Sequence, residues 1–336
     1  MPNIGNNSCK QRNISKQYIQ PPISGDNSTA YNLDTLAHLD QKIPNKLEHK
    51  VLAKYLTTQI LFPLIDQKSP LEDAYWNTYH CNNILIQQGQ KLTASYCKNR
   101  WCIVCNRIRT ATLMNGYLDQ IKEFKNGAFV TLTRVNVVGA DLRSEIDSMV
   151  KLFGLIQRKA KRLGYNHTAL RKLECTYSSR LRNYNPHLHV ICSNMELATF
   201  IRKEWLKRNP KANEGAQDLK PITEHSAKEL FKYFTKLITI SKQRDNRGIK
   251  QVELNARALD TILQSIRNKR TFQTYGDLRL ISEDIEDIES QEYPSLTFGI
   301  NIWKYNPIIH NYVSQDAEII ADIEPHRIYG IKVVEG

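Results

Sequence analysis

Hydrophobic and polar residues alternate in three short stretches in the middle of the chain, and each alternation predicts a β-strand. In the first, residues 127 to 136, apolar positions alternate with Thr131 and Thr133. The second, residues 170 to 177, and the third, residues 187 to 193, are joined by a short polar loop. Two consecutive strands with a short connection predict an antiparallel hairpin.

Helical spacing predicts the elements around these strands. Residues 141 to 163 repeat apolar side chains at intervals of three and four and stop at Gly164. An apolar and basic segment from about residue 45 to 65 predicts a second helix, and a further helix starts at Ser226. The order strand, helix, strand, strand, helix predicts an α+β fold, with an open, largely antiparallel sheet and helices packed on one face.

The two ends of the chain differ from this middle part. The first 35 or so residues are rich in Asn, Ser, Gln and Pro, which predicts disorder and no signal peptide. The most apolar window, residues 51 to 63, is interrupted by Lys54, Gln59 and Pro63, so it is too short to span a membrane. We therefore expect a cytoplasmic protein without a membrane partner. Near the other end, an acidic run at residues 282 to 292 is typical of a solvated linker.

Positive charge is concentrated in one part of the sequence. The formal net charge is +13, and residues 151 to 250 hold 22 Lys and Arg against 8 Asp and Glu, while the rest of the chain is nearly neutral. Such a field favours a polyanionic partner, most commonly nucleic acid, although a soluble basic surface would have the same composition.

Four of the seven cysteines lie close together in the sequence, in the arrangement Cys81-x15-Cys97-x4-Cys102-x2-Cys105. In a chain without an export signal, four thiols with one Cys-x2-Cys pair predict a structural zinc site rather than disulfides. His80 could substitute for one thiol. We expect a small zinc-binding unit over residues 76 to 115, ahead of the sheet.

The third strand contains two histidines, in the stretch NYNPHLHVIC at residues 183 to 192. Because side chains alternate across a strand, His187 and His189 share one face. If the hairpin loop is centred near residues 180 to 182, Glu174 of the preceding strand lies opposite one of them. Two imidazoles and a carboxylate suit Mg²⁺ or Mn²⁺ acting as a Lewis acid. Alternatively, the two histidines bind no metal and are merely half-exposed on the solvent-facing side of a sheet, which would give the same spacing.

The helix from Ser226 supplies a candidate nucleophile. Its apolar stripe is Leu230, Phe231, Phe234, Leu237 and Ile238. Tyr233 lies just off that stripe, with Glu229 and Lys236 one turn before and after it. Tyrosine can attack a phosphodiester, lysine can stabilise developing charge, and glutamate can activate water. Alternatively, Ser226 and Glu229 form a helix-capping box, and Tyr233 is an ordinary boundary residue.

These segments in this order resemble the plasmid rolling-circle replication initiators of the His-hydrophobic-His (HUH) endonuclease superfamily. The similar segments are VTLTRVN at 130 to 136, KLE at 172 to 174, PHLHV at 186 to 190 and KELFKYFTK at 228 to 236. The cysteine cluster also resembles that of the family, except that Ile103 stands where the family usually has proline.

The resemblance implies an HUH-type nicking and joining domain over residues 120 to 245. Residues 1 to 75 and 246 to 336 lie outside it, with no role implied for the second region. In such a domain the metal positions the scissile phosphate, and Tyr233 cuts one strand of the plasmid origin, at a single-stranded or hairpin site. Tyr233 then remains attached to the 5′ phosphate, and Glu229 matches the acid that ends the cycle. A host helicase partner is implied by the family alone.

Two alternatives remain open at the level of sequence. A single-tyrosine HUH transposase shares the motif order, although such chains are generally shorter and lack the cysteine cluster. A non-catalytic, zinc-containing DNA-binding regulator would explain the charge and the cysteines and leave the histidines incidental. A metallohydrolase acting on small molecules would leave the positive field unexplained.

Overall fold

The structure is a computed structural model, and it describes residues 46–124, 126–223, 230, 238–279 and 292–334. The predicted disorder of the first 35 residues lies outside these ranges, as does the acidic run up to residue 291.

The N-terminal third combines three helices with a small hairpin. Its elements are α1 (Lys46–Ile65), α2 (Glu72–Tyr79), β1 (Ile84–Gln88), β2 (Lys91–Ala94) and α3 (Ile103–Lys122). The predicted first helix is confirmed as α1, whose side chains are buried on nearly every side. A helix buried all round explains why this segment shows no polar stripe.

The first four elements of the middle of the chain follow the predicted order of strand, helix, strand, strand, and the last two, a helix and a short strand, are not predicted by the sequence. It contains β3 (Ala128–Thr133), α4 (Leu142–Arg162), β4 (Ala169–Ser178), β5 (Asn183–Cys192), α5 (Met195–Arg208) and β6 (Leu219–Pro221). The predicted helix at residues 141 to 163 is confirmed as α4. It ends where Gly164 adopts a positive φ of 83°, which allows the Tyr165 N–H to bond the Ala160 carbonyl oxygen.

The last part of the chain adds strands to earlier ones. Its elements are β7 (Ile238–Arg244), β8 (Lys250–Leu254), α6 (Ala256–Ile266), β9 (Phe272–Tyr275), β10 (Ile300–Asn306), β11 (Asn311–Val313), α7 (Pro325–Ile328) and β12 (Tyr329–Val333). The sequence places Ile238 on the stripe of a helix, but it begins strand β7, which pairs antiparallel with β8. Of the residues from Ser226 to Leu237 in this predicted helix, only Leu230 lies within the described residues, and it is helical.

A five-stranded sheet in the order β6-β3-β5-β4-β9 forms the centre of the fold. Each neighbouring pair in it is antiparallel. The fold is therefore a mixed α+β fold whose central sheet is antiparallel, as predicted. The face that carries Val130, Leu188 and Leu173 packs against the apolar sides of α4 and α5 in the main core.

The opposite face of this sheet is covered at one end by a second apolar cluster. Phe129, Leu170 and Ile191 of the sheet lie there with Tyr117 and Ile121 of α3. Helical side chains therefore lie on both faces, whereas the sequence predicts helices on one. The other end of this face carries the polar residues of the candidate site.

Two smaller sheets complete the described fold. One has the order β11-β10-β1-β2, and the other joins β12, β8 and β7. Strand β10 pairs with β1 across more than two hundred residues of sequence, beginning with Ile84 opposite Lys304. The described residues include no helix that is both long and apolar enough to cross a bilayer.

Substitution of Gly276, which follows β9, tests how tightly this edge strand is held against the sheet. Its φ is +69°, and a Cβ there would lie 2.6 Å from Thr168 Cα and 2.8 Å from Thr168 N. Gly164 has a φ of +83° but open space around it. We expect Gly164→Ala to lower the free energy of unfolding by about 1 kcal/mol through backbone strain. Gly276→Ala should lower it by at least about 2 kcal/mol more, because the Thr168 backbone must also move.

Urea unfolding followed by circular dichroism measures both variants. Equal losses in the two would mean that β9 can shift away from β4 at little cost.

Candidate metal centres and active site

The β4–β5 hairpin places three potential ligands on one face of the central sheet. Glu174 pairs directly with His187, as the sequence predicts, and His189 lies two residues further along β5. The loop spans residues 179 to 182, where Arg182 adopts a φ of +48°. Strand β3 flanks the other side and sets Thr131 opposite His189.

The two imidazoles turn the same ring nitrogen toward the carboxylate. The Nε2 atoms of His187 and His189 each lie 3.3 Å from Glu174 Oε2. The other ring nitrogens have their own partners, since His187 Nδ1 lies 3.0 Å from the Asn185 carbonyl oxygen and His189 Nδ1 lies 3.1 Å from Thr131 Oγ1. A proton held on Nδ1 by such a bond leaves the Nε2 lone pair free for a metal.

These three residues fit a divalent cation. Their ligand atoms lie within 4.8 Å of one another. Adjacent ligands of an octahedral Mg²⁺ are about 3.0 Å apart, close to the observed separations. Imidazole nitrogens with one carboxylate also suit Mn²⁺. The group could therefore bind a metal ion.

Lys172 completes the group from within β4. Its ammonium forms an ion pair with Glu174 Oε1 and lies 5.8 Å from the centre of the Phe272 ring. The Lys172 side chain is 1% exposed. With Oε1 held by Lys172, Oε2 is directed at the two histidines. The sequence places Lys172 on the same face as Glu174, but that face is buried here rather than wet, so the ion pair escapes sequence reasoning.

The electrostatics keep the carboxylate ionised. Burial opposes ionisation of Glu174, but the Lys172 charge and the two adjacent imidazoles hold the pKa of this carboxyl well below its usual range. Burial lowers the pKa of the His189 imidazole, although Glu174 acts in the opposite direction. An ionised carboxylate beside a neutral imidazole is the ligand state that a metal requires.

Access to the group is from the His189 side. The His189 side chain is 16% exposed, against 7% for Glu174 and 8% for His187. Phe129 lies beside the His189 ring, with a centroid distance of 5.4 Å.

Gln217, which the sequence analysis does not identify, fixes the end of β3. It accepts a hydrogen bond from the Thr133 N–H at 2.8 Å and donates one to the Thr133 hydroxyl at 2.9 Å.

The four clustered cysteines form a second candidate metal site. The Cys81–Cys105 and Cys97–Cys105 sulfur distances are 3.6 Å, and the Cys81–Cys102 distance is 3.7 Å. A zinc tetrahedron with bonds of about 2.3 Å has sulfur–sulfur edges of about 3.8 Å. The four thiols are therefore placed as the sequence predicts and could hold one ion.

Backbone N–H groups directed at Cys81 and Cys97 favour the thiolate form of these two cysteines. The Cys97 N–H points at Cys81 Sγ, and the Asn99 N–H at Cys97 Sγ. Buried Lys54 donates to the Cys81 carbonyl oxygen at 2.8 Å. Burial lowers the pKa of Lys54 to about 8 despite the opposing effect of the nearby thiols. His80 is outside the four-sulfur group; it is exposed and lies 3.3 Å from the Asn83 side-chain nitrogen.

The candidate nucleophile Tyr233 lies outside the described residues, together with Glu229 and Lys236. Leu230, three residues before the tyrosine, is 1% exposed and belongs to the apolar cluster of Leu170 and Ile191. Those two side chains project from the same face of the sheet as Glu174 and His189.

Comparison with known proteins adds independent information. A family model described as "Replication protein" matches residues 89–297, more than half of the chain. The chain is 37% identical over 145 residues to a protein named Protein rep from Staphylococcus aureus, covering 38% of this chain and 63% of that one. It is 34% identical over 104 residues to a Protein rep from Streptococcus pneumoniae, covering 29% of this chain and 32% of that one.

The chain thus spans less than two thirds of the length of either relative. No solved structure matches it.

Removing the Lys172 charge tests its role in holding Glu174. In metal-free protein, Lys172→Met should lower the free energy of unfolding by about 3–5 kcal/mol, because a buried carboxylate loses its cation. Lys220→Met is the matched control. Lys220 lies on β6 of the same sheet and over the Phe129 ring, and it forms an ion pair with Asp218 in which its side chain is 52% exposed. Because this ion pair is exposed, we expect Lys220→Met to lower the free energy of unfolding by less than about 1 kcal/mol.

Urea unfolding in EDTA measures both variants. A Lys172→Met loss no larger than that of the control would mean that Glu174 does not depend on this ammonium.

Proposed function

The chain belongs to the replication protein family, and from this premise we propose that it initiates plasmid replication by nicking one strand of the origin. The observation that supports this most directly is the convergence of Glu174, His187 and His189 on one point of the sheet face. The mechanism proposed is that of an HUH endonuclease, a metal-dependent, site-specific nuclease and strand transferase with a tyrosine nucleophile.

Glu174, His187 and His189 would hold Mg²⁺ or Mn²⁺. When bound, the ion supplies a Lewis acid that polarises the scissile phosphate. The residues themselves orient the site: Lys172 aims the carboxylate, Thr131 and the Asn185 carbonyl oxygen set the imidazoles, and burial excludes water from all but the His189 side.

Tyr233 is the proposed nucleophile. Its phenolic oxygen forms a bond to phosphorus as the bond from phosphorus to the 3′ oxygen breaks. The phenol gives up one proton, and the leaving 3′ oxygen ends with one, so a 3′ hydroxyl is released while the 5′ phosphate stays on the tyrosine. Rejoining reverses these exchanges. The burial of Leu230 against the same face of the sheet supports a tyrosine on this side.

Lys236 and Glu229 complete the proposal. Lys236 would stabilise negative charge that develops on the phosphate. Glu229 would take a proton from water when the phosphotyrosine is hydrolysed at the end of a cycle. A purely structural Glu229, capping its helix through Ser226, is the competing role.

The four cysteines are proposed to hold a structural zinc ion. The sulfur spacing and the N–H groups directed at Cys81 and Cys97 support a site for four thiolates. The substrate is proposed to be origin DNA presented as a single strand or hairpin in the cytoplasm, with a host helicase as partner. A single-tyrosine transposase would use the same residues and differ in the DNA ends that it joins.

Replacement of the nucleophile tests the chemistry. Wild-type protein incubated with Mn²⁺ and a single-stranded origin oligonucleotide should form a covalent adduct. Tyr233→Phe should reduce this adduct by at least about a thousandfold, because the attacking oxygen is gone. Denaturing gels measure the adduct, and mass spectrometry locates the modified peptide.

Tyr177→Phe, in the same hairpin as the metal ligands but packed against the main core, should form the adduct normally. Glu229→Ala should keep the first cleavage and slow release by water. An adduct that survives Tyr233→Phe overturns the nucleophile assignment. A wild-type protein that shifts duplex DNA without forming an adduct would be a DNA-binding regulator.

Metal content tests the cysteine site separately. The purified chain should contain about one zinc per molecule. Cys105→Ser should lose it and unfold at a lower temperature, because the site closes the contact between α3 and the preceding loop. His80→Ala should retain the metal. Elemental analysis with thermal unfolding measures both, and a wild-type protein without zinc would contradict the assignment.

A further inference from the structure

A strongly cationic surface lies on the side of the central sheet that faces away from Glu174 and the two histidines. Helices α4 and α5 pack on the sheet face that carries Val130 and Leu188, whereas Thr131 and His189 project from the other face. Nine of the 22 Lys and Arg residues counted between residues 151 and 250 lie on these two helices, so the sheet separates them from the metal ligands.

The exposed residues of these two helices are mostly basic. From residue 148 to 162, α4 contains no Asp or Glu. From residue 197 to 208, α5 contains one acid, the buried Glu204. The exposed cations of these two stretches and of the loop that follows α5 are Lys151, Arg158, Lys161, Arg162, Lys203, Lys207, Arg208 and Lys211.

An ion pair joins the two helices within this surface. Lys159 Nζ lies 2.7 Å from Glu204 Oε1, and Arg208 lies 3.4 Å from the other carboxylate oxygen. Because Lys159 and Glu204 touch and both helices pack on the same sheet face, their outward-facing cations, such as Arg158 and Lys203, contribute to one surface. The single carboxylate is already matched by two cations, so the surrounding charges remain in excess.

We propose that this α4–α5 surface binds the phosphate backbone of duplex DNA. Clustered Lys and Arg bind duplex DNA by neutralising successive phosphates, with release of counterions. Single strands are usually bound with aromatic stacking platforms. The aromatic residues of the two helices, Phe153, Phe200 and Trp205, are buried or half-buried, which favours a duplex.

The inference rests on the proposed function for the choice of DNA as the polyanion. According to this proposal, the two sides of the sheet bind different forms of DNA. The duplex beside the origin is held on the α4–α5 side, and the strand to be cut reaches the metal ligands on the other side.

Charge reversal at two positions tests the surface. Arg158 and Lys203 lie outside the last turns of their helices, so helix-dipole effects on stability are small there. Arg158→Glu with Lys203→Glu, in the full chain, should weaken binding to a duplex of about 30 base pairs by at least about tenfold. The slope of log affinity against log salt, measured by fluorescence anisotropy, should fall by about 2.

Lys91→Glu with Lys304→Glu is the matched control. Both lysines are exposed on the four-stranded sheet, and the change in net charge is the same. This control should bind the duplex within about twofold of wild type, as expected for charges outside the contact. Thermal unfolding should be alike in both double variants.

Formation of the adduct with a short single-stranded oligonucleotide separates the two proposals. If the α4–α5 variant still forms the adduct but loses the duplex, the surface is supported independently of nicking. Wild-type duplex affinity and salt slope in that variant would overturn the proposal. An equal loss of duplex affinity in the control variant would also overturn it. So would an α4–α5 variant that binds the duplex like wild type but has lost binding to phosphatidylserine vesicles.

Discussion

The buried carboxylate of Glu174 is the group on which the arrangement of the metal face depends. Lys172 holds one of its oxygens, and His187 and His189 point at the other. Each of these groups would be costly to bury alone, so each requires the others. A slip of the β4–β5 pairing by one residue would move Glu174 into the apolar core beneath α4. The polar group therefore fixes the strand register as firmly as the hydrophobic face does.

Much of this centre follows from period-two alternation. Residues two apart on a strand share a face, and a short loop between two strands fixes which residues oppose each other. Glu174 opposite one of the two histidines follows from those two facts, whereas the pairing of Thr131 with His189 joins strands more than fifty residues apart and does not. Helix α4 is equally predictable from the sequence because its apolar stripe faces a single core. The cysteine cluster is predictable because its potential ligands lie close together in the sequence.

Features that depend on distant residues were not predictable in this way. Strand β9 covers the edge of β4 from a hundred residues away, and a four-residue strand has too few alternations to be recognised. Ile238 fits the spacing of the segment before it, but its β-branched side chain and its pairing partner in β8 place it in a strand. The total charge of a segment likewise does not reveal which face of a sheet its cations occupy.

The pairing of β1 with β10 has a consequence for biosynthesis. When β1 leaves the ribosome, the strand that will lie beside Ile84 is still more than two hundred codons away. At about 5–20 residues per second, the nascent chain must wait on the order of ten to forty seconds before this sheet can close. During that interval Leu85 and Leu92, buried in the finished sheet, lack much of their covering. Folding of the N-terminal third is thus completed only after β10 has been synthesised.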